Sequence, residues 1–263
     1  MTQDIDNSRD YMVVQANDFI RHARTSKLTS LEADIAYFLM SKIKPKDSSF
    51  MEIIFTVEEF YLICGNSKGF NDSGKNYASL KNSLRSLANK SAWIEESNGD
   101  EVLVRWVDTY RLKHNDGTIV ATLSKSLEPY LLNLQKHYTQ TTLRNFISLK
   151  SKYSKRLYDY LRSFLHSKLE HAEKHYEVVF EIMDLKKQLN AENYGRFKDF
   201  RVNVLELAER EINAVTDMEI KFEPIKTGRI TTHIKFIIKI KGLDDRLTAM
   251  VNADKAIDKR YSN

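Results

Sequence analysis

The 263-residue sequence predicts an α+β fold made of two similar halves, and three observations support this prediction. Each half has the same order of elements: a helix, a short strand, a short helix, a long helix and a β-hairpin. The joint between strand and short helix, "IIFTVEEFYLICG", aligns with "VVFEIMDLKKQLN" 125 residues later. Two helices followed by a hairpin form a winged helix, in which the second helix enters the DNA major groove. We therefore predict two tandem winged-helix domains related by internal duplication.

The first half begins with "LTSLEADIAYFLMSKI", whose apolar residues recur at helical spacing. Thr29 followed by Glu32 is typical of a helix N-terminus, and Pro45 ends the helix. The β-branched run "FMEIIFTV" predicts the short strand, and "VEEFYLICG" the short helix. In the long helix "NYASLKNSLRSLANKSAWI", Leu80 and Leu84 share one face. The segments "EVLVRWVDTYRL" and "TIVATLS" form a hairpin around "KHNDG", because Asp-Gly favours a tight turn.

The second half repeats this plan with "YSKRLYDYLRSFLHSKL", "HYEVVFEI" and "IMDLKKQLN". Its long helix, "GRFKDFRVNVLELAEREINAVTD", places six residues near one side: Phe197, Phe200, Val204, Leu207, Ala208 and Glu211. Phe200 and Val204 correspond to the two leucines of the first half. Its hairpin runs through "MEIKFEPI" and "THIKFIIKI" around "KTGR". We expect a first domain over residues 1–136, a second over 137–263, and a polar C-terminal tail from about residue 244.

Composition excludes several classes of protein. The single cysteine, Cys64, rules out an internal disulfide framework and is expected to be a core thiol in a reducing compartment. No stretch approaches the roughly 18 apolar residues of a membrane span. The acidic and polar start, "MTQDIDNSRD", is unlike a secretory signal, so a cytoplasmic protein without a membrane partner is expected.

The net charge is only +5, but the cations are clustered in the second half. Between Lys221 and Lys241 there are six Lys or Arg residues and one acid, and "RNFISLKSKYSKR" carries five cations and no acid. The long helix begins with Arg196 and Lys198 and ends with acids, which is the reverse of what its dipole prefers. In a winged helix these three elements all face the duplex, so the pattern predicts double-stranded DNA as the partner. From the second cluster, the candidate DNA contacts are Lys150, Lys152, Lys155 and Arg156.

The face of the long helix opposite the predicted core carries side chains that can recognise bases. Arg pairs with guanine, Asn with adenine and Asp with cytosine. The candidates on this face are Arg196, Lys198, Asp199, Arg201, Val202 and Asn203. The equivalent face in the first half is a weaker candidate for entering a DNA groove. Its residues are Lys75, Ser79, Lys81, Asn82 and Arg85.

The motifs "RFKDFRVNVLELAEREINAVTD", "KTGRITTHIKFIIK" and "SLKSKYSKRLYDYL", with the N-terminal "VVQANDFIRHARTSKLTSLEADIAYFLMSKI", resemble the iteron-binding plasmid replication initiators, the Rep family of theta-replicating plasmids. The resemblance extends from about Val13 to Lys241. It implies a protein that binds repeated origin sites as a monomer, opens adjacent AT-rich DNA and recruits the host initiator and helicase. It also implies a homodimer, formed largely through the first domain, that represses its own gene.

The resemblance also implies roles for particular residues. Arg196 and Asp199 fall on base-reading positions of the second domain, whereas Val202 stands where some members carry a basic reader. A valine there can instead contact a thymine methyl group. The family's wing pattern is matched by Lys226, Arg229, Thr231, Thr232 and His233.

Two other functions are alternatives to that of an iteron-binding initiator. A rolling-circle enzyme needs a His-x-His metal site, and no two histidines stand at that spacing. His171 and His175 are four residues apart but are expected to be surface residues, and no P-loop is present. We therefore expect no enzymatic activity, no metal and no cofactor. A transcriptional repressor without initiator activity remains the second alternative, which a test of origin opening would separate from an initiator.

Overall fold

The computed structural model describes residues 8–25, 28–65, 74–95, 99–113, 117–165 and 175–260. It divides into two compact units: residues up to Ile147 with those from Ile257 onward, and Ser148–Ala256. Residues 137–147 thus lie in the first unit, although we expected the second domain to begin at residue 137. The reason is strand pairing, since Tyr138–Thr142 is antiparallel to Met12–Ala16.

The first unit begins with β1 (Met12–Ala16), α1 (Asn17–His22), β2 (Ala23–Thr25) and α2 (Ser30–Ser41). Next come β3 (Ile53–Thr56), α3 (Val57–Cys64) and the long helix α4 (Gly74–Ala88). The strands β4 (Ser91–Glu95), β5 (Glu101–Arg105), β6 (Val107–Leu112) and β7 (Thr118–Leu123) follow. The unit continues with a 3-10 turn (Lys125–Leu127), α5 (Glu128–Leu131), β8 (Tyr138–Thr142) and α6 (Leu143–Ser148).

The predicted N-terminus of α2 is confirmed, because Thr29 and Glu32 form a reciprocal capping box. The predicted hairpin is also present as β6 and β7, although residues 114–116 of its turn lie outside the described residues. The segment expected to be one strand is divided at Trp106. Its first part, β5, joins a sheet of order β2-β4-β5, and its second part, β6, joins a sheet of order β3-β7-β6. Cys64 is buried in the core, as expected.

The second unit contains α7 (Lys152–Ser163), β9 (His175–Glu181) and α8 (Ile182–Gln188). Its long helix consists of α9 (Phe197–Phe200), a π turn (Arg201–Leu205) and α10 (Glu206–Val215), and we call residues 197–215 the interrupted helix. The wing hairpin, β10 (Met218–Thr227) and β11 (Ile230–Ile240), follows, and α11 (Leu243–Asp258) ends the described elements. The sheet order β10-β11-β9 matches β6-β7-β3 of the first unit, where β4 and β5 are additional.

The π turn changes which side chains of the interrupted helix are buried. Phe200, Val204, Leu205, Ala208 and Ile212 are fully buried. In a regular helix Phe200 and Leu205 would lie about 140° apart, because each residue advances 100°. The wider π turn brings them to one side and moves the later core positions one residue along the chain. Ala208 is buried as expected, whereas Leu205 and Ile212 occupy the core where we expected Leu207 and Glu211.

The segment expected to be a polar tail folds into α11 and the turn that follows it. Ala249 and Ala253 are buried at helical spacing, and Ile257 belongs to the hydrophobic core of the first unit. Arg260 pairs with the fully buried Asp34 at 2.6 Å and also donates to the Ile147 carbonyl. These buried contacts explain why the polar sequence is ordered. Among the described helices, none has both the length and the apolar character needed to cross a bilayer.

Candidate DNA-binding surface

The interrupted helix begins with an exposed ion pair. Arg196 occupies the N-cap position, and no side chain caps this helix start. Its guanidinium lies 2.7 Å from one Asp199 carboxylate oxygen and 3.2 Å from the other. Hydrogen bonding to Asp199 raises the pKa of Arg196, although its side chain remains 82% exposed. The carboxylate therefore orients a guanidinium that stays accessible to a ligand.

The next turn presents three consecutive side chains to solvent. Arg201, Val202 and Asn203 are all exposed, because the π turn widens the helix opposite Val204 and Leu205. Arg201 pairs with Glu206 at 2.7 Å, and the Asn203 amide donates to the Asp199 carbonyl at 2.9 Å. Val202 is 49% exposed, and it contributes an apolar surface between polar neighbours. This run offers a cation, a methyl pair and an amide side by side.

The start of α7 lies against the loop that precedes the interrupted helix. The rings of Tyr153 and Tyr194 pack edge to face with centroids 6.0 Å apart. Hydrogen bonding to Tyr153 raises the pKa of Tyr194, and Lys152 places its ammonium over the Tyr153 ring at 5.0 Å. The structure thus brings together two of the three basic elements, and Lys150 and Lys152 are exposed there. Sequence analysis missed the tyrosine pair, although a tyrosine directly before "GRF" is a detectable signal.

Other cations of the "RNFISLKSKYSKR" cluster are not presented as we expected. Lys155 is only 1% exposed, so it is buried and not at the surface. Arg156 donates to the backbone and side-chain oxygens of Gln188 at 3.0 and 3.1 Å. Arg144 is buried in the first unit, where it pairs with Asp10 at 2.9 Å. Arg156 and Arg144 have structural partners that are distant in sequence and that the local charge pattern does not reveal.

The wing ends in an exposed turn. Lys226 and Arg229 flank Gly228, whose φ of +63° is a conformation that glycine adopts without strain. Behind the tip, the Thr232 hydroxyl lies 3.2 Å from the Thr227 hydroxyl and 3.0 Å from His233 Nδ1. Thr231 pairs in register with Lys226. The conformation of the tip is thereby fixed while its two cations remain in solvent.

Two cations lower in the wing have structural roles. Lys235 pairs with Glu223 at 2.9 Å and with Glu177 at 3.5 Å. Lys241 is buried and donates to the Asn213 and Thr216 carbonyls at 2.6 and 2.8 Å. Burial lowers the pKa of Lys241, while nearby acids oppose the shift. The positive charge available to a ligand is therefore concentrated at the tip, with less of it along the strands than the residue count suggested.

The acidic end of the interrupted helix also has structural partners. Glu211 accepts hydrogen bonds from the backbone N–H groups of Lys150 and Ser151 at 3.2 and 3.1 Å. Asp217 accepts from the Tyr158 hydroxyl at 2.8 Å and from Arg162 at 2.6 Å. The reversed charge order of this helix is thus explained at its C-terminal end by contacts within the domain. At its N-terminal end the cations Arg196 and Lys198 remain exposed.

The long helix of the first unit, α4, carries a simpler surface. It is regular, with Leu80, Leu84 and Leu87 buried. Ser79 hydrogen-bonds the Tyr61 hydroxyl, and Lys81 lies 6.0 Å from the Tyr77 ring centre. The five candidates on this helix are all exposed: Lys75, Ser79, Lys81, Asn82 and Arg85.

Only one histidine of the pair considered as a metal site, His171 and His175, lies among the described residues. His175 begins β9 and is exposed, whereas His171 lies outside the described residues. Among the described residues, no group of three or more His, Cys, Asp or Glu side chains is arranged to hold a metal ion.

Comparisons with known proteins match both units. A family model described as "Initiator Replication protein, WH1" matches residues 12–162, and one described as "Initiator Rep protein, WH2" matches residues 181–238. The chain is also similar in structure to a Pi initiator protein solved in complex with iteron DNA. The two are 18% identical, the match covers 89% of this chain and 98% of that one, and the TM-score is 0.71. The predicted fold of two tandem winged-helix domains is confirmed.

Proposed function

Since the chain belongs to the family of replication initiator (Rep) proteins, each with winged-helix domains WH1 and WH2, we propose that it initiates the replication of a plasmid. In this role it binds repeated double-stranded sites, or iterons, at the origin. It then promotes opening of the neighbouring AT-rich DNA and recruits the host initiator and helicase. The similar Pi initiator protein was solved with iteron DNA, which supports this choice of ligand.

The observation that carries the proposal is the exposed surface at the start of the interrupted helix. Arg196 and Asp199 are held together, and the π turn exposes the three residues after them. Arg196 can donate two hydrogen bonds to guanine, and Asp199 can accept one from cytosine. Asn203 can pair with adenine, and Val202 can contact a thymine methyl group. Four side chains with different base preferences therefore stand on one helical surface.

Phosphate contacts complete the site. We assign them to Lys198 and Arg201 on the interrupted helix, to Lys150 and Lys152 at the start of α7, and to the wing residues Lys226, Arg229, Thr231, Thr232 and His233. The exposed cations of this set supply most of the affinity, because each phosphate neutralised releases condensed counterions. In this role the chain makes and breaks no covalent bond. The free energy of DNA binding is what distorts the duplex.

The first unit has two proposed roles. The exposed polar face of α4 contacts DNA, which extends the recognised site beyond what the second unit covers. The same unit carries the contacts of a homodimer that represses transcription of its own gene, and the monomer is the form that occupies iterons. Two domains on one chain bind a continuous site more tightly than either alone, because the second contact is effectively intramolecular.

The test uses a supercoiled plasmid that carries the direct repeats flanking the gene and the adjacent AT-rich stretch. We expect footprints over the repeats, and permanganate-reactive thymines in the AT-rich stretch when host initiator is also present. Arg196→Ala should weaken both signals together. Protection of the repeats without reactive thymines would instead identify a repressor. Absence of specific protection would refute the proposal.

A further inference from the structure

An isoleucine at the tip of the wing stands out because it is exposed where an apolar side chain adds little to stability. Ile230 is 71% exposed and begins β11 directly after Arg229. The strand continues with Ile234, Phe236, Ile238 and Ile240, which are buried. Single exposed apolar residues are common, so the exposure alone is not informative. Its position between two cations at the end of a DNA-contacting hairpin is what points to a role.

The register of the strand determines the face on which Ile230 lies. A β-bulge between Ile225 and Lys226 leaves Thr232 out of the pairing and reverses the side-chain alternation of β11. The cross-strand partner of Ile230 is Thr227, which by alternation along β10 shares a face with Ile225. Ile230 therefore lies on the face opposite the buried Ile234 and Phe236. Its aliphatic side chain is turned away from the core, on the face where Ile225 is also exposed.

The surrounding charges define what this side chain can approach. Lys226 and Arg229 are exposed on either side of the turn. Cations so placed bind phosphates, and the side chain between them is then held against the floor of a groove. In the minor groove, apolar side chains inserted between base pairs unstack one step and kink the duplex. Pyrimidine–purine steps unstack most easily.

We propose that Ile230 is a DNA-bending and specificity-determining residue, whose side chain inserts into the minor groove beside the site read by the interrupted helix, at a pyrimidine–purine step. This inference rests on the proposed function, because it requires the wing to lie on duplex DNA. It assigns to the wing a contribution to sequence preference that its charges alone do not supply. The preference arises from the deformability of one step, without a hydrogen bond to a base.

The experiment compares wild type with Ile230→Ala, Ile230→Gln and Ile230→Leu on a duplex selected by the wild-type protein from a random library. Bend angle is measured by circular permutation, and affinity across a series of salt concentrations. We expect Ala and Gln to abolish most of the bend and to weaken binding roughly 10-fold. The salt slope should not change, because no charge is removed. Leu should retain the bend, since it remains an apolar wedge.

A matched control is Val179→Ala in β9, which removes an apolar side chain that is 51% exposed in the same sheet. It should leave both bend and affinity unchanged. Replacing the pyrimidine–purine step by a stiff A-tract should weaken wild type but not Ile230→Ala. An unchanged bend in Ile230→Ala would overturn the inference and leave the proposed function standing. Failure of wild type to select any duplex sequence would refute both.

Discussion

The long helices of the two units occupy the same place in the same topology but differ in their backbone. In α4 the buried residues Leu80, Leu84 and Leu87 follow ordinary helical spacing, and the opposite face is a row of short polar and basic side chains. The interrupted helix contains one wider turn, which buries Leu205 beside Val204 and exposes three residues in succession. π turns occur frequently at functional sites. The second unit thus presents a differently shaped helix surface from the first, and we propose that this shape serves recognition.

Deleting one residue from each helix tests whether the two helices differ in function as well as in backbone. Deleting Val202 removes the extra residue of the π turn. The buried positions then recur at spacings of three, one, three and four, which suit a regular helix. We expect a melting temperature near that of wild type and a specific affinity that falls roughly 10- to 100-fold, because Arg201 and Asn203 change direction. Circular dichroism and binding to the selected duplex measure the two effects.

Deleting Ser83 from α4 is the counterpart and should have the larger effect on stability. It rotates Leu84 and Leu87 by about 100° relative to Leu80 and moves them out of the core. The free energy of unfolding of the first unit should fall by about 2–5 kcal/mol. If deleting Val202 destabilised the protein as much, the π turn would be a requirement of packing and not a device for recognition.

Single substitutions should change DNA binding less than these deletions, and differently in the two helices. We expect Arg196→Ala to weaken the selected site by about 1–3 kcal/mol and to relax preference at one base position. Asp199→Ala should relax specificity while leaving non-specific binding unchanged or stronger, because a negative charge is removed near phosphates. Arg85→Ala on α4 should weaken binding less and leave base preference intact. Binding-site selection on the three variants, with their melting temperatures, tests this ranking. Loss of thermal stability with base preference intact would show that the Arg196–Asp199 pair only stabilises the helix start.

The element order, both hairpins, the Thr29 cap and the exposed cations at the start of the interrupted helix could all be predicted from the sequence, because each depends on neighbouring residues. The π turn could not, since it arises from the packing of Val204 and Leu205 against the rest of the core. The burial of Lys155 also has no local signal. The pairing of Arg260 with Asp34 joins residues more than two hundred positions apart. A count of charges in a short stretch of sequence therefore cannot show that such a cation is already paired within the protein.

The smallest expected effect concerns the tip of the wing. Lys226→Ala and Arg229→Ala should weaken binding to all sequences about equally and reduce the salt slope by about one each. Lys235→Ala is the matched control, because that ammonium already pairs with Glu223 and Glu177. Titrations at several salt concentrations measure the slopes. An equal loss of slope in all three variants would show that charge acts along the whole hairpin.

The return of residues 257–260 to the first unit has a consequence for biosynthesis. Ile257 completes that unit's core, and Arg260 neutralises the buried Asp34. The intervening residues 148–256 must be translated before these contacts can form. At 5–20 residues per second, that takes roughly 5–20 s. Until then the nascent first domain lacks the Arg260–Asp34 ion pair, and removing one partner of a buried ion pair costs about 3–5 kcal/mol. The domain made first on the ribosome is therefore among the last to reach its full stability.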